Sequence, residues 1–422
     1  MSSPFTVLLG KAVRYAARLR GGGSALPGLF VEKIDPSFVP NTLAQLPKGV
    51  VIISGTNGKT TTTKMVVQLL ESQGLTVFTN RTGSNFVRGV AAALLGDITA
   101  TGKLRADIAV LELDEAHAVK FVDVVQPRYS LLLNVMRDQL DRFGEIDSTA
   151  KMLEHIAKAT TETVVANRED ERILSFSQAL STPVQYFGLD RSLLKEFPTD
   201  NELYGTTAAK NHLKRPTATV VLSAHTDTTA SYVVQGVTHT TSLRLNGVYN
   251  MFNSAAALAL THTIVPKAPI DSLIKSLATV TPAFGRGESF NVDGNPLELV
   301  LVKNPSGFRL GLTSFDAANY ATMIAINDNY ADGRDMSWLW DVDFTSLQKS
   351  PVAITGIRGY DMALRLDYDQ VPIDFVATAL PSALKQFIAK NNGTPKRIYC
   401  TYTAMLALRK ELAKITHVEV VA

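Results

Sequence analysis

The sequence predicts an α/β fold: a central parallel-sheet ATPase unit with a β-rich insertion, followed by a smaller α/β domain. Three observations carry this. From Gly49 to about Val135 short β-rich runs alternate with helical stretches, the rhythm of a parallel sheet covered by helices. Leu131, Leu132 and Leu133 form a near-continuous apolar run, as a strand buried on both faces requires. The chain has 422 residues, more than the roughly 250–300 at which single cores stop growing, so two or three domains are expected.

The first unit, residues 1–48, reads as a basic helical segment. Phe5 to Arg20 mixes Val7, Leu8, Leu9, Val13 and Leu19 with Lys11, Arg14, Arg18 and Arg20, an amphipathic pattern whose apolar run is too short for a secretory core. Packing on the body with a solvated basic face is the expected placement, and contact with anionic lipid is the alternative. No run elsewhere approaches the ~20 apolar residues that span a bilayer, so a cytoplasmic chain is expected.

The second unit, 49–296, holds the alternation. Strands are expected at Val50 to Ser54, Leu75 to Thr79, Ile108 to Leu113 and Tyr129 to Val135, with helices at about Thr60 to Gln73 and Phe86 to Leu95. Residues 189–245 are polar and threonine-rich, with strands expected at Thr217 to Ser223 and Ser231 to Val237, and read as a β-rich insertion or subdomain edge. An alanine-rich helix at Asn250 to Thr261 and a turn at Pro282 to Glu288 follow. A boundary is expected near residue 296, before a strand at Leu297 to Val302. From Ala321 to Ile326 a second alternation opens and runs through the C-terminal domain, 297–422.

Composition excludes several classes. With 45% hydrophobic and 19% charged residues the chain is not disordered. Lys and Arg number 42 against 39 Asp and Glu, a net charge of +3, without the cationic excess that neutralises a nucleic-acid backbone. The one cysteine, Cys400, excludes intrachain disulfides and cysteine-built zinc sites. Its setting, Arg397-Ile398-Tyr399-Cys400-Thr401-Tyr402, reads as a strand end with a buried structural thiol.

The strongest local signal is Ile52-Ile53-Ser54-Gly55-Thr56-Asn57-Gly58-Lys59-Thr60-Thr61, a strand, a glycine-rich turn and a helix start. Backbone amides of Gly55 to Thr61 suit a phosphate, Lys59 suits the β and γ oxygens of ATP, and the Thr60 hydroxyl suits Mg²⁺. One departure from the general P-loop is Ile53, where that pattern has glycine. Glu112, Asp114 and Glu115 close the strand Ile108 to Leu113, at the sheet edge where open parallel sheets bind ligands. Glu112 is the best candidate there for a second Mg²⁺ ligand, against the plain reading of a helix-capping acidic cluster.

Gly-Thr-Asn-Gly-Lys-Thr-Thr resembles the Mur ligase superfamily of ATP-dependent carboxylate–amine ligases. Further pieces agree in order: Leu111-Glu112-Leu113-Asp114-Glu115, the stretch Leu133 to Gly144, Gly247 to Ala256, and Pro282 to Glu288. The resemblance implies adenine contact at Asn250 and phosphate contact at Arg286. Lys151 stands near the position of a carbamylated lysine in that superfamily, with an exposed helix lysine as the plain reading. Many members carry a four-cysteine zinc ribbon in the central domain, which this chain cannot build, so no zinc is expected.

Arg137-Asp138-Gln139-Leu140-Asp141-Arg142, Lys303-Asn304-Pro305 and the block Asn327 to Asp341, with Trp338 and Trp340, resemble one branch: synthetase subunits that work with a GatD-type glutaminase on lipid II. That resemblance implies ATP-dependent amidation of a D-glutamate α-carboxylate through an acyl phosphate. It also implies a place at the inner face of the plasma membrane, and an aspartate that completes the partner's Cys–His pair. Asp335 is the choice for that aspartate, with Asp328 and Asp332 behind it. An amino-acid-adding ligase of the Mur or folylpolyglutamate type, or a non-catalytic nucleotide-binding scaffold, are the competing readings.

Overall fold

The computed structural model describes residues 4–19, 26–80, 87–138, 146–204, 214–226, 228–245, 247–282, 288–314 and 319–418. Three helices open the chain: α1 (Pro4–Leu19), α2 (Leu26–Ile34) and α3 (Phe38–Leu43). Then come β1 (Val50–Ser54), α4 (Lys59–Ser72), β2 (Val77–Thr79), α5 (Val87–Asp97), β3 (Ile108–Glu112), α6 (Glu115–Val122) and β4 (Tyr129–Leu132). They are followed by α7 (Ile146–Ala159), β5 (Thr163–Asn167), α8 (Glu171–Ser177), β6 (Val184–Leu189) and the short α9 (Asp200–Leu203). The strands β7 (Val220–His225), β8 (Thr229–Val234) and β9 (Val237–Ser242) lead to α10 (Val248–Ile264) and α11 (Ile270–Leu277).

These strands form one nine-stranded sheet in the order β2-β3-β1-β4-β5-β6-β7-β8-β9. Pairing is parallel from β2 to β7, and β8 and β9 add in antiparallel fashion. Alternation along β1 sends Val51 and Ile53 into the core cluster beneath α4 and α10, and Val50 and Ile52 into the one shared with α5 and the N-terminal helices. Both faces of β1 are therefore covered, which is why Val50 to Ile53 are all β-branched and apolar. Because β1 lies between β3 and β4, the crevice at its carboxyl end is where the strand order reverses.

The second sheet contains β10 (Glu288–Val292), β11 (Asn295–Leu301), β12 (Ala321–Ala325), β13 (Val352–Thr355), β14 (Ile373–Ala377) and β15 (Lys396–Cys400), in the order β10-β11-β15-β12-β13-β14. Its helices are α12 (Pro305–Ser314), α13 (Gly359–Tyr368), α14 (Leu380–Lys390) and α15 (Tyr402–Leu412). Only β10 runs antiparallel among these described strands.

Three expectations narrow or change. Strands β7, β8 and β9 are integral to the first sheet, so of the two readings of the threonine-rich stretch, insertion or edge, it is that sheet's edge. The run expected to continue to Val237 stops at Val234, because Gln235 and Gly236 both take positive φ and turn the chain into β9. The strand preceding residue 296 also belongs to the second sheet: Asp293 and Gly294, with φ of 52° and 80°, make a two-residue hairpin turn that binds β10 to β11. The division between the sheets thus falls before Glu288, not at 296.

Helix α1 lies on the body, but its solvated face carries Phe5, Leu8 and Tyr15 in place of the expected basic side chains. Val7 is buried in the core cluster that includes Val31 of α2 and Leu95 of α5, and Lys11 Nζ donates to the Ile98 carbonyl at 2.6 Å. Among the described residues no helix is long and apolar enough to cross a membrane.

Candidate nucleotide site

The turn after β1 is shaped by two glycines. Gly55 has φ of 135°, and a Cβ there would lie 2.9 Å from the Asn134 nitrogen. Gly58 has φ of 89°, and a Cβ there would meet Asn253 Oδ1 at 2.6 Å. Thr56 ties this turn to the segment after β4: its amide donates to the Asn134 carbonyl at 3.0 Å, and its hydroxyl accepts from the Met136 amide at 3.0 Å. Asn57 and Asn134 exchange bonds, Asn57 N–H to Asn134 Oδ1 at 2.8 Å and Asn134 Nδ2 to the Asn57 carbonyl at 3.0 Å.

Helix α4 then starts at Lys59, whose ammonium is buried and donates to the Gly55 carbonyl at 2.6 Å. It also faces Asp114 Oδ1 at 3.1 Å and Glu115 Oε2 at 3.6 Å. Burial alone would lower its pKa, but Glu115 and then Asp114 more than offset this and hold the lysine charged well above its ordinary range. Beside it, the Thr60 hydroxyl donates to Glu112 Oε1 at 2.6 Å, joining the two residues expected to share a metal. Asn80 fixes the Glu112 backbone, accepting its N–H at 3.0 Å and donating to its carbonyl at 2.8 Å. A hydroxyl and a carboxylate at the mouth of a glycine turn are hard oxygen donors, a set that fits Mg²⁺.

The site opens into a cavity of about 520 Å³ lined by both sheets' loops, including Gly58, Lys59, Glu112, Asn250, Lys303 and Asp332. Asn250 is buried at the first turn of α10, within 3.4 Å of the Asn253 amide. From the C-terminal domain, Asn304 reaches the phosphate turn: its Nδ2 donates to Asn57 Oδ1 at 3.3 Å while its Oδ1 accepts the Gly307 N–H at 2.7 Å. Next to it, the Ser306 hydroxyl donates to the Arg137 carbonyl at 3.0 Å. Arg137 and Arg309 both lie over the Tyr204 ring, 3.8 and 4.6 Å from its centroid, and Arg309 Nε donates to the Asp341 carbonyl at 2.6 Å.

The three candidate aspartates separate cleanly. Asp332 is buried and pins the loop to α15, accepting the Asn329 N–H at 3.0 Å and the Thr403 N–H at 2.7 Å. Asp328 pairs with Arg358 at 3.3 Å. Asp335 is half-buried, lies outside the cavity wall, and accepts the Ser337 N–H at 2.8 Å; hydrogen bonding from Ser337 holds its carboxyl below the usual range. Lys151 stands exposed on α7. Arg286 and the run Gln139 to Arg142 lie outside the described residues.

Comparison with known proteins decides the family. The Mur ligase middle domain model matches residues 53–261, and the MurT ligase C-terminal model matches residues 301–405. The chain is 32% identical to the lipid II isoglutaminyl synthase (glutamine-hydrolyzing) subunit MurT of Streptococcus pneumoniae, over 96% of both chains. The chain belongs to the MurT family. A Staphylococcus aureus MurT is 27% identical over 87% of this chain and 88% of its own.

The MurT-family chain shares its fold with solved Mur-type ligases. A pseudomurein peptide ligase type C from Methanothermus fervidus aligns with TM-score 0.69 and 17% identity over 90% of this chain and 81% of its own. MurF from Thermotoga maritima, solved with ADP, aligns with TM-score 0.67 and 16% identity over 90% and 84%. Membership of the MurT family, with its Mur ligase middle domain, makes the chain a ligase. Sequence reasoning left several residues in and around the cavity of this MurT-family chain without a role: Asn134 and Lys303 in its wall, Asn304 behind it, and Asp114 and Glu115 as partners of Lys59. The Lys303-Asn304-Pro305 run was the available signal for the domain contact, since it stands out as a motif yet sits far in sequence from the phosphate turn.

Proposed function

We propose that the chain is the synthetase subunit of a lipid II isoglutaminyl synthase, amidating the α-carboxylate of D-glutamate in the stem peptide of lipid II with ATP and ammonia. The observation that carries the reading is the Thr60 to Glu112 contact at 2.6 Å beside the buried Lys59, at the mouth of a cavity walled by both domains. Gly55 to Thr61 would hold the phosphates of ATP, Asn250 its adenine, and Arg286, by the family resemblance, a further phosphate. Thr60 and Glu112 would hold Mg²⁺, which supplies charge neutralisation to the transferring phosphoryl group. The acceptor carboxylate oxygen attacks the γ-phosphorus, breaking the bond to the β-phosphate oxygen and giving an acyl phosphate and ADP. Lys59 stays cationic for this step and stabilises the charge on the phosphoryl oxygens. Ammonia then attacks the acyl carbon, inorganic phosphate leaves, and the amide nitrogen loses its proton.

The nitrogen comes from a second chain, a GatD-type glutaminase. Cys400, the one thiol here, is fully buried at the end of β15, and burial pushes its pKa far up, the opposite of an activated nucleophile. Asp335 completes the partner's Cys–His pair, orienting the histidine. Two features support this assignment: Asp328 and Asp332 are tied to the distant Arg358 and Thr403 while Asp335 accepts from Ser337 two residues on, and the same domain exposes Tyr360, Leu364 and Tyr368 along α13, with Trp340 stacked edge-on against Tyr368 at 5.1 Å. An exposed aromatic stripe of this kind suits a protein interface. With lipid II as acceptor, the enzyme works at the inner face of the membrane.

The test is an ATP-dependent amidation assay on lipid II with the co-purified glutaminase, run with glutamine and with ammonium. Isoglutamine formation with ADP release from both sources is expected. Product that carries an added amino acid instead of ammonia would assign the chain to the amino-acid-adding ligases, and absence of ATP consumption would leave only a scaffold.

A further inference from the structure

Helix α1 is divided lengthwise into two faces of different fate. Thr6, Val7, Gly10 and Ala17 are buried against the body. Phe5, Leu8, Ala12, Tyr15 and Ala16 are exposed, and their spacing of three and four residues places them in one stripe on the opposite side. Phe5, Leu8 and Tyr15 are 70, 57 and 68% exposed. A helix needs one apolar face to dock on its own protein, and α1 has already used one.

Charge singles out the same segment. Residues 1–48 hold six cationic side chains (Lys11, Arg14, Arg18, Arg20, Lys33, Lys48) against two anionic ones (Glu32, Asp35), a net of 6 − 2 = +4. The whole chain carries +3, so the remainder sums to 3 − 4 = −1. All of the positive excess therefore sits in the unit that bears the exposed stripe. Helix geometry sets Lys11 and Arg14 on one flank of the helix, where both face the body, Lys11 at the Ile98 carbonyl and Arg14 beside Gly96. Lys11 also ties the helix to the body through the Ile98 carbonyl, so the stripe is held outward on a docked helix.

We propose that this face of α1 is a membrane-surface contact, with Phe5, Leu8 and Tyr15 entering the headgroup boundary of an anionic leaflet and the basic excess drawn to its phosphates. An exposed apolar stripe on a helix of a net-basic unit suits such an interface, and its affinity combines buried apolar area with attraction to anionic lipid. The contact would hold the cavity close to the bilayer surface, where a lipid-linked acceptor is presented. It stands independently of the amidation reading, since vesicle binding needs neither ATP nor partner.

The experiment is co-sedimentation of the full chain with vesicles of phosphatidylglycerol and phosphatidylcholine, against pure phosphatidylcholine, at low and high salt. Binding to the anionic vesicles is expected, with about tenfold loss in a Phe5→Ala/Leu8→Ala/Tyr15→Ala variant and weakening by salt. The three side chains are exposed, so the variant should keep the wild-type melting temperature and circular dichroism. A wild-type chain that stays in the supernatant, or a variant that binds as well as wild type, would overturn the proposal. So would a wild-type dimer in solution that the triple variant dissociates without any vesicle binding, which would assign the stripe to a second copy.

Discussion

The Asn304 side chain links the C-terminal domain to the phosphate turn, donating to Asn57 Oδ1 at 3.3 Å from a fully buried position. Its orientation is set locally, because its oxygen is occupied by the Gly307 N–H at the start of α12. Asn57 in turn is clasped by Asn134, so three asparagines connect the second domain, the phosphate turn and the segment after β4. The Asn304→Asp variant separates capping from linking: aspartate keeps the cap and loses the donor toward Asn57. It should melt close to wild type while ATP turnover falls about tenfold, with the Kd for ATP moving less than threefold, as loss of one contact made at the reacting geometry predicts. Steady-state kinetics with calorimetric ATP titration checks this.

Lys59→Ala should lower ligation by at least about a hundredfold, equally with glutamine and with ammonium, because both nitrogen sources need the same activated acceptor. Its carboxylate partners add a stability effect whose sign follows from the raised lysine pKa. The stabilisation is fully present below the ordinary lysine value of 10.5 and is lost as pH rises through the higher folded value. Glu115→Gln should therefore destabilise the chain near neutral pH, by roughly 2 kcal/mol given that Asp114 remains, and the deficit should persist through pH 9. Urea denaturation across pH measures it.

Thr60→Ala removes the hydroxyl that meets Glu112. The Mg²⁺ concentration for half-maximal turnover should rise about tenfold, with the melting temperature little changed, since one metal-facing oxygen is lost without opening the core. A magnesium titration of ADP release reads the shift.

Asp335→Asn should cost at least about a hundredfold in glutamine-driven amidation while activity at high ammonium stays within about twofold of wild type. Parallel assays with the two nitrogen sources decide it, and equal loss in both would refute the triad placement. Because Ser337 keeps the Asp335 carboxyl ionised well into acid, its own titration should not appear in the profile near neutral pH.

Legibility followed sequence distance. The phosphate turn, its strand and helix, and Glu112 at the end of β3 were readable because each is a local pattern with a positional rule in parallel sheets. The β10 to β11 hairpin was missed although Asp293-Gly294 is a short-range turn signal, since the boundary was placed immediately before the strand expected at Leu297 to Val302. Asn304 and Asn57 are 247 residues apart, and no spacing rule connects them. Likewise Asp114 and Glu115 were visible as an acidic cluster, but their hold on Lys59 depends on how β1 and β3 lie side by side.

Sealed in β15 with no exposed surface, Cys400 makes the folded chain a silent background for alkylation chemistry. An iodoacetamide adduct formed on the native assembly, or inactivation by a glutamine-mimicking electrophile, would have to lie on a different polypeptide. On the proposed reading, this chain would stay unmodified while a glutaminase partner is labelled, and nitrogen delivery would be switched off chemically without touching ATP use.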